Sequence, residues 1–200
     1  MTDPFRSARL IYRAVESPDH DALFQQIQTE PISFQNSNAR LIRPQSRPDA
    51  AQYQNFVSEK ALLGVVICLA PPPDAPPNVT LTAIGVVHLK DPFAPNSPHR
   101  QTELGIDIVD GYQGKGYGSE AINWAVQWAF ETAGMHRVGI RSFEWNFGAR
   151  KLYERLGFKY EGTARESLFY KGRFWDDYGY GMLEHEWRDI QAKKEKEQKQ

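Results

Sequence analysis

Two hydrophobic periods divide this chain. Unbroken or alternating apolar runs mark strands, and recurrence every three to four residues marks helices. Leu10–Val15 is a short β-type run. Ser17-Pro18-Asp19 supplies a turn and a helix start, after which Ala22, Leu23, Phe24 and Ile27 form an apolar face. Residues 30–49 are polar and proline-punctuated and read as a loop with room for one short helix. Pro48–Glu59 predicts a helix with Tyr53, Phe56 and Val57 at helical spacing. Ala61–Leu69 is continuous and rich in Val and Ile, the pattern of a buried strand. Val79–Leu89 predicts a second strand. The proline-rich stretch 70–78 between them cannot pair in a sheet, so an antiparallel hairpin with a stiff loop is expected.

Thr102–Val109 predicts a third strand, with Leu104, Ile106 and Ile108 on one face and Glu103, Gly105 and Asp107 on the other. A glycine-rich turn, Gly111–Gly118, leads into the clearest helix, Ser119–Thr132, which Gly134 stops. Arg137–Phe143 alternates as a strand, and Phe147–Leu156 is a helix ended by Gly157. Phe158–Gly162, Glu166–Tyr170 and Trp175–Leu183 predict further strands, and 192–200 reads as a charged, frayed tail. Without a repeat or a linker, one α/β domain over 8–188 with a charged tail at 189–200 is the economical organisation.

Composition narrows the function. The 200 residues carry a net charge of −1, so no global field favours nucleic acid or an anionic membrane. Cys68 is the single cysteine and lies in an apolar run, so it reads as a small buried hydrophobe. No zinc-type spacing is present. The N-terminus lacks the apolar core of a signal peptide, and no apolar stretch reaches the roughly 20 residues that span a bilayer. The expectation is a soluble cytoplasmic protein, with the nucleus also compatible, that uses no metal.

The chemistry concentrates at Gln113-Gly114-Lys115-Gly116-Tyr117-Gly118, between a strand and the best helix. Glycines there let a backbone approach a ligand, and the N–H groups at the helix start converge on one spot. That is a phosphate or pyrophosphate cradle. A P-loop order of glycines, lysine and hydroxyl is absent, and Gly118 comes one position too early for a dinucleotide fingerprint.

Gln113-x-x-Gly116-x-Gly118 resembles the acetyl-CoA signature of GNAT acetyltransferases. Asn146-x-x-Ala149-x-x-x-Tyr153-x-x-x-Gly157-Phe158 resembles the second GNAT motif. Ala8–Arg13, Tyr160-Glu161-Gly162-Thr163, Tyr170–Asp177 and Glu186-Trp187 are similar to the branch that holds ribosomal-protein N-terminal acetyltransferases, which also contains small-molecule enzymes. The resemblance covers roughly residues 8–188. It implies a mixed, mainly antiparallel sheet of six to seven strands flanked by helices, with a splayed strand pair holding acetyl-CoA.

It also implies roles. The Gln113–Gly118 backbone would hold the CoA pyrophosphate, Ile108 and Val109 would pair with the pantetheine arm, and Asn146 would contact that arm or cap its helix. Tyr153 is the candidate general acid toward the CoA sulfur, as a phenol and a thiol have similar proton affinity. Glu103 is the candidate base, with Glu144 as the alternative, and a backbone N–H near Val109 would receive the oxyanion. The expected acceptor is a small amine or a peptide α-amine, and a homodimer is compatible with the sequence. The other reading is a CoA-binding protein of this fold without catalysis.

Overall fold

The computed structural model describes residues 3–72, 74–76, 79–92 and 94–198. Seven strands among them follow the hydrogen-bonded order β1-β2-β3-β4-β5-β7-β6. They form one open, mostly antiparallel sheet flanked by helices, the mixed α/β class that the sequence predicts. The chain divides into two compact units, Met1–Asp91 with Gly105–Ala125, and Pro92–Leu104 with Val126–Gln200. Strand β4 (Gln101–Ile108) and helix α4 (Tyr117–Glu131) contribute residues to both.

The first unit contains β1 (Leu10–Ala14), α1 (Asp21–Thr29), α2 (Pro31–Ser37), α3 (Arg47–Asn55), β2 (Ala61–Leu69) and β3 (Ala83–Lys90). β1 lies antiparallel to β2, from Leu10 opposite Leu69 to Ala14 opposite Val65. β2 and β3 form the expected antiparallel hairpin, with Val66 opposite Val86. Part of its proline loop, residues 73, 77 and 78, lies outside the described residues.

The core of this unit gathers Leu23, Phe24 and Ile27 of α1, Ala50 and Val57, Val66 and Cys68 of β2, Val86 of β3, and Val109. Each large apolar side chain in it contributes about 1.5–3 kcal/mol by leaving water. Cys68 is buried, as its apolar setting implies. α3 starts where Ser46 and Asp49 cap one another: Ser46 Oγ accepts the Asp49 N–H at 3.3 Å, and Asp49 Oδ2 accepts the Ser46 N–H at 2.8 Å. The predicted helix over 48–59 is α3 followed by a wider π-type turn, Phe56–Lys60. Within 30–49, Pro31 at a helical first turn sets the short helix α2.

The second unit contains β5 (Arg137–Phe143), α5 (Phe147–Leu156), β6 (Lys159–Tyr170), β7 (Arg173–Leu183) and α6 (Glu184–Gln198). β4 pairs in parallel with β5 through Gln101–Glu103 opposite Arg137–Gly139. β5 continues antiparallel to β7, from Arg137 opposite Leu183 to Phe143 opposite Asp177. β6 and β7 form a hairpin whose two turn residues, Lys171 and Gly172, both have positive φ, +50° and +78°. The two separate strands predicted for 158–170 are one strand, with a register shift between Ala164 and Leu168 that lets it bend without ending. Where the sequence predicts a frayed tail, α6 continues to Gln198: Trp187 anchors it against Phe130 at 5.7 Å, and Lys and Glu extend it as good helix formers.

Candidate functional site

In the first unit, β4 ends at Ile108 and the chain enters a short turn, Asp110–Tyr112. The Gln113 side chain then reaches back. Its Nε2 donates to the Ile108 carbonyl at 2.7 Å and to Ser33 Oγ at 3.0 Å, tying the loop to the strand end and to α2. Gly114 and Gly116 hold φ of +71° and +83°, a region that costs an L side chain about 1–2 kcal/mol. α4 begins at Tyr117, and the Glu120 N–H is the first to reach back, to the Gly116 carbonyl at 3.2 Å. The amides of Tyr117, Gly118 and Ser119 therefore precede the first helical hydrogen bond and sit at the positive end of a 15-residue helix. Lys115 is held nearby, its Nζ donating to the Gly111 carbonyl at 2.7 Å and lying 5.4 Å over the Tyr112 ring. This is the geometry of an anion cradle.

One residue near the cradle is absent from the sequence reading of the site. The Arg9 guanidinium donates to the Lys115 carbonyl at 3.0 Å, lies 4.7 Å over the Tyr117 ring, and would sit 3.2 Å from a Cβ at Gly116. It is fixed there by Glu120, which accepts from Arg9 Nε at 2.8 Å, from the Arg9 amide at 2.7 Å and from Ser7 Oγ at 2.6 Å. Burial pushes the Glu120 carboxyl up, but the Ser7 hydroxyl and the Arg9 amide and guanidinium outweigh it and hold it below the usual carboxylate range. Nothing local in Ala8–Arg13 signals this contact with residues over a hundred positions away.

Two of the predicted backbone roles meet prior commitments. The Val109 N–H donates to the Ile84 carbonyl at 3.0 Å, so the predicted oxyanion donor near Val109 cannot be that amide itself. The Ile108 carbonyl is taken by Gln113.

In the second unit, Tyr153 is the buried residue of α5, with its ring 6.1 Å from Phe158 and 6.0 Å from Tyr180. Asn146 caps α5, its Oδ1 accepting the Ala149 N–H at 3.2 Å, and Gly157 closes the helix with φ of +99°. Glu103 is half-buried on β4. Glu144 is committed to the hairpin, accepting the Asp176 N–H at 3.0 Å with Arg173 3.6 Å away. Asp177 is almost fully buried and paired with Arg141. Burial raises its carboxyl, Arg141 opposes this, and Glu103 adds to it.

A family model described as an acetyltransferase (GNAT) domain matches residues 9–159. The chain belongs to the GNAT family. It is 36% identical over 93 residues to the spermidine N(1)-acetyltransferase of Vibrio cholerae serotype O1, covering 46% of this chain and 52% of that protein. It is 35% identical over 89 residues to YdaF of Bacillus subtilis (strain 168), named provisionally as a ribosomal N-acetyltransferase, covering 44% of this chain and 49% of that protein. The chain thus spans about half the length of the curated relatives it matches. Among solved structures, a Vibrio cholerae spermidine N-acetyltransferase in complex with CoA and spermine shares the fold, with a TM-score of 0.73 at 22% identity over 90% of this chain and 99% of that one. A GNAT-family acetyltransferase from Bacillus anthracis gives 0.72 at 19% identity over 90% and 98%.

Within this GNAT chain, one further polar group stands out in the first unit. Asp107 of β4 accepts a 2.6 Å hydrogen bond from the Tyr53 hydroxyl of α3. In the sequence Asp107 is only an alternating polar position on a strand, and Tyr53 only one member of a helical apolar stripe. Among the described residues no helix is long and apolar enough to cross a membrane.

Proposed function

We propose that this chain is an N-acetyltransferase that moves the acetyl group of acetyl-CoA to a primary amine. The observation that carries the reading is the Gln113–Gly118 loop: two glycines at positive φ opening α4, with three helix-start amides and the cations Lys115 and Arg9 around them. Such an end suits the CoA pyrophosphate.

The pantetheine arm is proposed to pair with the end of β4. Backbone groups along a strand alternate between its two edges. As the Val109 N–H points to β3, the Ile108 N–H points the other way and becomes the proposed partner of the thioester oxygen. The amine attacks the acetyl carbon directly, with no covalent enzyme intermediate and no metal required by the chemistry. Tyr153 is the proposed donor of a proton to the departing thiolate, and Asn146 acts by fixing the start of the helix that carries it. A carboxylate on the Glu103 face of β4 is the proposed proton acceptor. The names of the Vibrio cholerae relatives favour a small cationic amine over a peptide terminus.

The test combines calorimetry with CoA, with and without EDTA, and thiol release from acetyl-CoA over spermidine, tyramine and alanyl peptides. CoA binding unaffected by EDTA, with amine-dependent thiol release, is expected. Loss of binding in EDTA overturns the metal-free reading, and binding without any turnover overturns the transferase reading.

A further inference from the structure

The face of β4 opposite the apolar Leu104–Ile106 side carries Glu103, Gly105 and Asp107 in alternation. Gly105 leaves room that the His88 imidazole of β3 fills: a Cβ at Gly105 would collide with that ring. Tyr53 stands edge-on to His88 at 6.0 Å and Phe56 at 5.2 Å, making an aromatic wall beside the row. At the end of the row, the Tyr53 hydroxyl holds Asp107 Oδ2, with the Ser37 hydroxyl of α2 close enough to favour the charged carboxylate. Asp107 is not sealed, because part of its surface stays exposed. It also immediately precedes Ile108, the position assigned above to the thioester.

On the reading that this chain is an N-acetyltransferase, we propose that Asp107, oriented by Tyr53, is the residue that receives the acceptor ammonium and takes its proton. The Asp107 carboxylate favours a cation over a neutral group. The acceptor class is therefore an amine that arrives protonated.

The step balances. The ammonium gives one proton to Asp107 and becomes a neutral amine. Its lone pair forms the N–C bond as the C–S bond breaks. The nitrogen sheds a second proton to water, and the departing thiolate takes one from Tyr153, which water reprotonates. The proton on Asp107 then leaves to water.

Burial supports the assignment by pushing the Asp107 carboxyl above its ordinary range, while Ser37 and then Tyr53 partly oppose it. A raised carboxyl is a stronger base near neutral pH. Burial first, and then the charge of Asp107, push the Tyr53 phenol well above its own range, so it stays a donor. The titratable groups around Asp107 are Tyr53 from α3, His88 from β3 beside Gly105, and Glu103 four residues earlier on its own strand, with the Ser37 hydroxyl from α2.

The experiment follows kcat/KM against pH, at saturating acetyl-CoA, for spermidine, tyramine and an alanyl peptide. Tyr53→Phe removes a bond that holds the Asp107 carboxyl down, so the acidic limb should move to higher pH with the KM for acetyl-CoA unchanged. Asp107→Asn should lose that limb and fall about 10²-fold at pH 7, recovering as base frees the amine. CoA affinity measured by calorimetry verifies that each variant is folded, and Tyr53→Phe carries the test if Asp107→Asn does not fold. A limb that stays in place in Tyr53→Phe, or that disappears in Glu103→Gln instead, overturns the proposal while leaving the transferase reading intact. CoA binding with no turnover of any of these amines overturns both.

Discussion

Asp107 is kept in its place against its own preference for water. Its folded proton affinity is raised, so the charged form is penalised in the fold relative to the unfolded chain. That penalty is present above its folded pKa and disappears as pH falls below the ordinary Asp value. Asp107→Asn should therefore match or exceed the wild-type Tm at pH 8, with the difference shrinking on acidification. A thermal melt series at several pH values checks the sign, and a loss of Tm that grows as pH rises would show that the carboxylate stabilises the fold. Tyr153→Phe removes only a hydroxyl and leaves the ring against Phe158 and Tyr180. It should lower kcat about 10²-fold with little change in the KM for acetyl-CoA, read from initial rates at two acetyl-CoA concentrations. Gly116→Val places a branched side chain at φ of +83° beside Arg9 Nη2. CoA affinity in calorimetry should fall strongly, and an unchanged affinity in a folded variant would remove the cradle assignment.

Among the elements, the joint between the start of β1 and the start of α4 shapes the cofactor loop. Arg9 is half exposed, so its ion pair with Glu120 is worth only about 0.2–1 kcal/mol to stability. Its effect on the loop should exceed that. Arg9→Ala should raise the KM for acetyl-CoA, leave kcat near wild type, and lower Tm only slightly. Because Glu120 is held below its usual range, the clasp persists at neutral pH and is lost as pH falls through the folded value of Glu120. The loop and α5 were legible in the sequence because their signals are local: glycines at Gly114, Gly116 and Gly157 where φ is positive, and Asn146 where α5 needs a cap. The clasp was not, because charge pairing between Arg9 and Glu120 leaves no trace in spacing. For the same reason the sequence showed Asp107 as a polar strand position and could not show that Tyr53 meets it.

Over the molecule as a whole, the alternation of strands and helices was enough to foresee an α/β chain, whereas the mixed, mainly antiparallel sheet followed from the resemblance to GNAT enzymes. The ends of elements were less legible. The continuous β6 hides its bend in a register shift, and α6 persists because Trp187 is buried, a tertiary fact that a Lys- and Glu-rich segment does not reveal. From Ala192 to Glu197 α6 is exposed. Removing 192–200 should therefore leave Tm and CoA affinity unchanged, whereas Trp187→Ala should cost about 3–5 kcal/mol in a denaturant titration.

The first unit is assembled from two stretches of chain, with the segment 92–104 between them. Its Arg9–Glu120 bonds close a loop of 111 residues. During synthesis, then, the hairpin of β2 and β3 and the helices α1 to α3 emerge well before Val109 can complete their core. Contacts so distant along the chain slow the search for the native state. Until residue 125 has left the ribosome, the strands rich in Val and Ile are held in an unfinished layer, the window in which a chaperone has most to bind.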